Sequence, residues 1–305
     1  MAPIRRAIST SVLALALVMP LASGTAQASP AAHPARPADS TITSPRVLAV
    51  PGTVNARDIG GYRTYDGKTT RWGVLYRSET LSKLPPEGVN ALASLGLGSV
   101  IDLRTGPEIQ ADGPDRLPTG VTSIAQPIDD TSLFAFIGMV VRSKDPVYQE
   151  QQLGGGKAAV RMEALYRGFV TTPANRAALG AAIRTVANAN KPLMFHCSAG
   201  KDRTGILADT ILRAVGVPGS TSEGDYLLSN ELRAASDAAL KSQLKAAGYM
   251  QDPNLLDPLL QLRSSYLGAF RAQTVADYGS FGDFLTEGLG LDALTLFKLR
   301  SRIVG

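Results

Sequence analysis

Cysteine is almost absent from this chain: Cys197 is the only one in 305 residues. A single thiol excludes an internal disulfide framework and leaves three fates, reactive, intermolecular or buried. Histidine is nearly as scarce, with His33 and His196 alone. The folded part therefore cannot assemble a histidine-rich metal site, and a serine–histidine triad would have to rest on His196. No metal or other cofactor is expected. No long apolar run follows the one near the start, so no transmembrane helix is expected after it. Charge of one sign is lacking too: 31 Lys and Arg oppose 26 Asp and Glu. So mixed a balance gives no reason to expect a nucleic-acid partner, although a local basic pocket remains open.

What is present begins with a secretory signal. Arg5 and Arg6 form a positive n-region, Ala7 to Ala22 are almost entirely apolar or small, and Ala26-Gln27-Ala28 is a signal-peptidase pattern. The run is short for a bilayer span and Pro20 interrupts its end. Residues 1–28 are thus expected to be removed and the protein to be secreted, by either the general or the twin-arginine route, with no integral membrane segment left. Removing Arg5 and Arg6 leaves 29 basic against 26 acidic residues. Residues 29–45 are rich in Ala and Pro and read as a flexible leader, and 46–305 as one domain.

The domain alternates short apolar runs with helical spacing, which points to an α/β fold with a parallel or mixed sheet. Strands are expected at Val74-Leu75-Tyr76, at Ser99 to Leu103 and at Thr122 to Ala125, the last two buried, and a short one at Leu193 to His196. Helices are expected at Pro86 to Leu95, from Pro173 to Asn190 with Thr172 as cap, and from Thr204 to Val215. Thr131 to Arg161 reads as an excursion from the sheet, either a lid over the site or an ordinary surface insertion. Thr221 to Gly305 reads as helical, broken near Gly248 and around Tyr278 to Gly282.

One segment concentrates the chemistry: His196-Cys197-Ser198-Ala199-Gly200-Lys201-Asp202-Arg203-Thr204-Gly205. It runs strand, tight loop, helix. Loop amides and a helix N-terminus make an anion site, Gly200 lets the backbone turn around the ligand, and the Arg203 guanidinium can grip two phosphate oxygens. The same field lowers a thiol from about 8.5 to roughly 3.5–7.5, which makes Cys197 a nucleophile for phosphate monoesters. Ser198, Ala199, Gly200, Lys201, Asp202, Arg203 and Thr204 are the expected phosphate contacts, with the Thr204 hydroxyl easing departure of the sulfur. A lone cysteine is more often an inert core thiol, but the ten-residue context outweighs that. A nucleotide-binding glycine loop and a sulfur-carrier loop both fit Cys197, Arg203 and Thr204 less well. Because the loop is intact, a non-catalytic phosphate-binding module is the remoter alternative.

This segment resembles the cysteine-x5-arginine signature of the tyrosine and dual-specificity phosphatases, and more narrowly the bacterial secreted tyrosine/phosphoinositide phosphatases. Asn55 to Gly61, Tyr76 to Glu79, Asp102 to Arg104, Asp225 to Asn230 and Tyr278 to Ser280 are similar to members of that family, so the resemblance runs from about Arg46 to the C-terminus. It implies a phosphatase-type fold with a four- or five-stranded, mostly parallel sheet. The substrate it implies is a phosphorylated protein, phosphotyrosine first, with phosphoserine, phosphothreonine or a phosphoinositide as alternatives.

The proton donor is less determined. Many superfamily members carry it on a separate loop introduced by Trp-Pro, but Trp72, the only tryptophan, is not followed by Pro-Asp. Asp202 is the first candidate, Asp102 at a strand end the second and Asp129 the third; each has a structural alternative, such as holding Arg203 or Arg104. Lys201 suits a polyanionic head group or is a solvated loop lysine. Arg57 and Asp58 are expected to brace the site as an ion pair, or the segment serves only as a turn at Ile59-Gly60-Gly61.

Overall fold

The computed structural model describes residues 46–305. The expected signal peptide and leader, residues 1–45, lie outside the described residues. Five strands form one sheet: β1 (Arg57–Asp58), β2 (Leu75–Ser78), β3 (Ser99–Asp102), β4 (Thr122–Ala125) and β5 (Leu193–His196), in the order β1-β2-β5-β3-β4. Every pairing is parallel except β1 with β2.

Side chains alternate across a strand, so each central strand feeds two cores. Leu75, Ile101, Leu193 and Phe195 enter the larger core, while Tyr76, Val100 and Met194 enter the smaller one. Burial on both faces explains why the central strands read as apolar runs. Strand β4 differs from expectation. It pairs with β3 alone at the sheet edge, and its residues are largely exposed.

Helix α1 (Pro86–Ser94) covers the smaller core through Leu92, and α2 (Gly106–Asp112) follows β3. The segment expected to leave the sheet forms α3 (Leu133–Ser143), α4 (Pro146–Leu153) and α5 (Lys157–Thr171). It belongs to the body of the domain: Val140, Val141, Leu153, Met162 and Leu165 all join the larger core. Next come α6 (Pro173–Asn188) and α7 (Asp202–Ala214), the latter starting two residues before the expected Thr204. The C-terminal part is helical as expected. After the 28-residue α8 (Gly219–Ala246) come α9 (Asp257–Leu260), α10 (Ser264–Tyr278), α11 (Phe281–Asp283) and α12 (Ala293–Ile303). The breaks fall at Gly248 and Gly279, both with positive φ. Among the described residues, no helix is long and apolar enough to cross a membrane.

The register brings Ser78, His196 and Asp102 side by side at the C-terminal ends of β2, β5 and β3. Open α/β sheets bind ligands at that edge. The Cys197 loop leaves from the middle strand of the five.

Candidate active site

Residues 197–201 connect β5 to α7, and the shape of this loop is imposed from outside it. The Cys197 carbonyl oxygen lies 3.0 Å from His196 Nδ1. The Ser198 carbonyl accepts from the Thr80 amide at 3.1 Å. The Ala199 carbonyl accepts from Asn55 Nδ2 (3.3 Å) and Arg233 (3.2 Å), and the Gly200 carbonyl from Asn55 Nδ2 and Arg77, both at 3.0 Å. In a trans peptide the C=O and the following N–H point in opposite directions. Four carbonyls tied to surrounding donors therefore turn the amides of Ser198 to Lys201 the other way, into a concave row that suits an anion. Gly200 holds φ +67°, and a Cβ there would meet the Ser78 carbonyl oxygen at 2.4 Å, so only glycine fits.

Arg203, in the first turn of α7, is fixed by Glu108 of α2. Its two terminal nitrogens donate to the Glu108 carboxylate at 2.7 and 2.5 Å, and one of them also reaches the Ile128 carbonyl at 3.2 Å. Glu108 further accepts from the Ser198 hydroxyl at 2.6 Å and closes a capping box with Thr105. Burial alone would raise the Glu108 pKa, but its bonds and charge pairing with Arg203 lower it to about 2. Burial alone would lower that of Arg203, and Glu108 and the Cys197 sulfur outweigh it, so the guanidinium stays charged.

Cys197 is buried beneath this cradle. Burial pushes its thiol up, yet the Arg203 charge and the Thr204 hydroxyl and amide bring it below the ordinary thiol value. The Thr204 hydroxyl is itself buried and has no protein partner of normal hydrogen-bond geometry. The loop thus brings a thiol of lowered pKa, a bidentate cation and a row of amides to one point.

The remaining expected residues lie in two groups. Asp202 accepts from the Tyr166 hydroxyl at 2.9 Å and pairs with Lys201 at 3.3 Å. Lys201 is not a solvated lysine: it is 4% exposed and donates to the Leu259 carbonyl at 2.5 Å. Asp102 lies on the other side, its two oxygens held by Arg104 at 2.8 to 3.1 Å. Asp102, Asp115 and His196 bring ligand-type atoms within 4.8 Å of one another. Arg104 bridges both carboxylates, so its fixed positive charge already occupies the place a cation would neutralise. Asp129 accepts from the Thr131 amide at 3.1 Å.

Arg57 and Asp58 do not pair. Adjacent residues on a strand point to opposite faces. Arg57 goes to Asp225 of α8 at 3.0 Å, while Asp58 accepts from the amides of Gly60 and Gly73. Asp225 also holds Arg77 at 2.5 Å, so one carboxylate between two buried arginines supports the Gly200 carbonyl. Sequence reasoning missed Glu108, for which the Thr105-x-x-Glu108 capping-box spacing was an available signal. It also missed Tyr166 and Arg233, whose roles depend on contacts between elements distant in sequence.

Comparison with known proteins bears on what this site does. The chain matches the tyrosine phosphatase family over residues 48–305. It is 30% identical over 280 residues to the triple specificity protein phosphatase PtpB of Mycobacterium tuberculosis, covering 85% of this chain and 99% of that one. It is also 30% identical over 268 residues to a Cupriavidus necator protein named as a tyrosine-protein phosphatase, covering 86% and 91%. Among solved structures, P. aeruginosa TpbA in complex with pTyr covers 68% of this chain and 89% of that chain, at 16% identity and a TM-score of 0.22.

Proposed function

This chain belongs to the tyrosine phosphatase family and is a phosphatase, and on that premise we propose that it is a secreted enzyme that hydrolyses phosphotyrosine through a cysteinyl-phosphate on Cys197. The observation that carries the mechanism is the coincidence at one loop of a lowered thiol, a bidentate-held arginine and four outward-tied carbonyls. Secretion is supported by the signal pattern in residues 1–28.

The thiolate attacks phosphorus in line. The S–P bond forms, the bond from phosphorus to the leaving oxygen breaks, and an aspartic acid transfers its proton to that oxygen. Arg203 and the loop amides hold the three equatorial oxygens as their charge redistributes. Water then attacks phosphorus, giving its proton to the same carboxylate. The S–P bond breaks, and the Thr204 hydroxyl stabilises the departing sulfur.

Asp202 is the proposed donor, since it opens α7 directly beside Arg203. A second reading is favoured by the backbone after Asp130. Thr131 and Ser132 are two of three non-glycine residues with positive φ among the described residues, and such strain gathers at functional sites. Asp130 is close enough to Arg203 to feel its charge, and burial raises its pKa despite that cation. Substrate range is open in the same way. The "triple specificity" in the name of the Mycobacterium tuberculosis relative supports extending the proposal to further substrates, phosphoserine, phosphothreonine or a phosphoinositide.

Cys197→Ser tests the covalent step. It is expected to abolish release of phosphate from an aryl phosphate while circular dichroism and the unfolding midpoint stay unchanged. Turnover persisting in the folded variant refutes a cysteinyl-phosphate.

A further inference from the structure

Asp202 is held from outside its own helix by a pair of buried tyrosines. The Tyr166 hydroxyl of α5 donates to Asp202 Oδ1 at 2.9 Å and lies 2.7 Å from the Tyr226 hydroxyl of α8. A phenol carries one proton, and a carboxylate only accepts. With the Tyr166 proton given to Asp202, the bond between the two hydroxyls must be donated by Tyr226. The chain therefore has one direction, from Tyr226 to Tyr166 to the carboxylate. Reversed, with a protonated Oδ1 donating to Tyr166 and Tyr166 to Tyr226, it would leave the Tyr226 proton without an acceptor among the described residues. An unmade hydrogen bond at a buried site is costly, so the arrangement suits the ionised carboxyl.

Neither ring faces solvent. Tyr166 and Tyr226 are both 0% exposed, whereas the Asp202 side chain keeps 16%. The two rings meet edge to face at a centroid distance of 6.2 Å, and Tyr266 of α10 lies against Tyr166 at 5.8 Å. Lys201 is 3.3 Å from Asp202 Oδ2, Arg203 follows on the same helix, and the Cys197 sulfur feels the Asp202 charge. Further out, Arg77 of β2 acts on Tyr226, and Arg263 and Glu163 act on Tyr266. Burial, and then the Asp202 charge, push the Tyr166 and Tyr226 phenols well above the ordinary tyrosine range, so both stay protonated as donors.

We infer that Tyr166, with Tyr226 behind it, is a positioning residue that fixes the Asp202 carboxyl through Oδ1 and favours its ionised form. The catalytic consequence rests on the reading of Asp202 as proton donor; the hydrogen-bond chain does not. Between giving a proton to the leaving oxygen and taking one from water, Asp202 is an anion, and this is the state the tyrosines hold in place. Pinned through Oδ1, the carboxyl keeps one orientation beside Arg203 through both steps.

Two measurements test this. In ¹³C,¹⁵N-labelled full-length protein, the Tyr166 Cζ signal followed from pH 4 to 9 is expected to show a step that Asp202→Asn abolishes. Absence of that step overturns the inference, whatever the variants do in turnover. The second is the pH profile of kcat/KM for an alkyl phosphate, whose alkaline limb reports the proton donor. Tyr166→Phe keeps the ring and removes one donor from the charged form, so this limb is expected to move up by about one pH unit, a tenfold change. Tyr226→Phe, one bond further away, is expected to move it less in the same direction. Where Asp202→Asn removes the limb, an unmoved limb in folded Tyr166→Phe overturns the inference, because loss of packing alone lowers the profile at every pH alike. Failure of Asp202 as donor would look different: Asp202→Asn keeps the alkaline limb, and the Tyr166 step is still present.

Discussion

Glu108→Gln removes one charge from the cradle without changing its shape, so its effect can be worked out in advance. Glu108 is 1% exposed and bonded to Arg203 through both oxygens. Its pKa falls from 4.5 to about 2. That difference is about 3 kcal/mol of stability at neutral pH, at roughly 1.4 kcal/mol per pH unit. Removing one partner of a buried ion pair costs about 3–5 kcal/mol by mutagenesis, which overlaps. Because the folded-state value is depressed, the contribution is complete above about pH 4.5 and disappears as pH falls toward about 2. Urea unfolding at pH 7 should therefore show Glu108→Gln destabilised by about 3 kcal/mol. The gap to wild type should close as pH drops through this window. With Arg203 and Ser198 both released from their shared acceptor, kcat/KM for an aryl phosphate should also fall about a hundredfold. A stability loss under about 1 kcal/mol, or a gap that does not narrow in acid, would refute the idea that this pair anchors the arginine.

The acid assignment separates by leaving group. Removal of the true donor slows alkyl phosphates far more than activated aryl phosphates, by about 10²–10⁴; Asp202→Asn should show this in kcat/KM, and Asp130→Asn showing it instead transfers the role. Gly200→Ala should cost both stability and activity, since its Cβ would meet backbone atoms of Ser78 and Glu79 at 2.4 to 2.5 Å at a positive φ. More than about 1 kcal/mol is expected from the conformation alone, and a variant with wild-type Tm and kcat would contradict the loop geometry.

Much of this was legible in residue order because the relevant forces are local. Leu193 to His196 reads as a strand and the following residues as loop and helix, since apolar runs, Gly200 and the helical stripe of α7 all lie within a few residues of one another. The edge position of β4 was not legible: TSIA looks like any short strand until its neighbours are known. The Arg57 partner was misjudged for a similar reason. Asp58 is adjacent in sequence, but the pleat sends it to the other face, and the partner comes from Asp225, 168 positions away. Lys201 reads from sequence as a charge for a polyanionic head group or a solvated loop lysine; the Leu259 carbonyl that takes up its ammonium, delivered by α9, is in neither reading. Long-range ion pairs of this kind leave no periodic trace.

Helix α8 carries Asp225, Ser229 and Arg233 at intervals of four residues, hence along one stripe. Asp225 and Ser229 hold Arg57, and Arg233 holds the Ala199 carbonyl. The spacing between these anchors is set by helical pitch, about 1.5 Å per residue, not by a loop that can flex. The stripe behaves as a ruler laid behind the phosphate cradle. Because Arg57 and the Ala199 carbonyl are held from one rigid stripe, the separation of the arginine support from the carbonyl clamp is set by the helix itself, and a change of pitch or register in α8 would alter both at once.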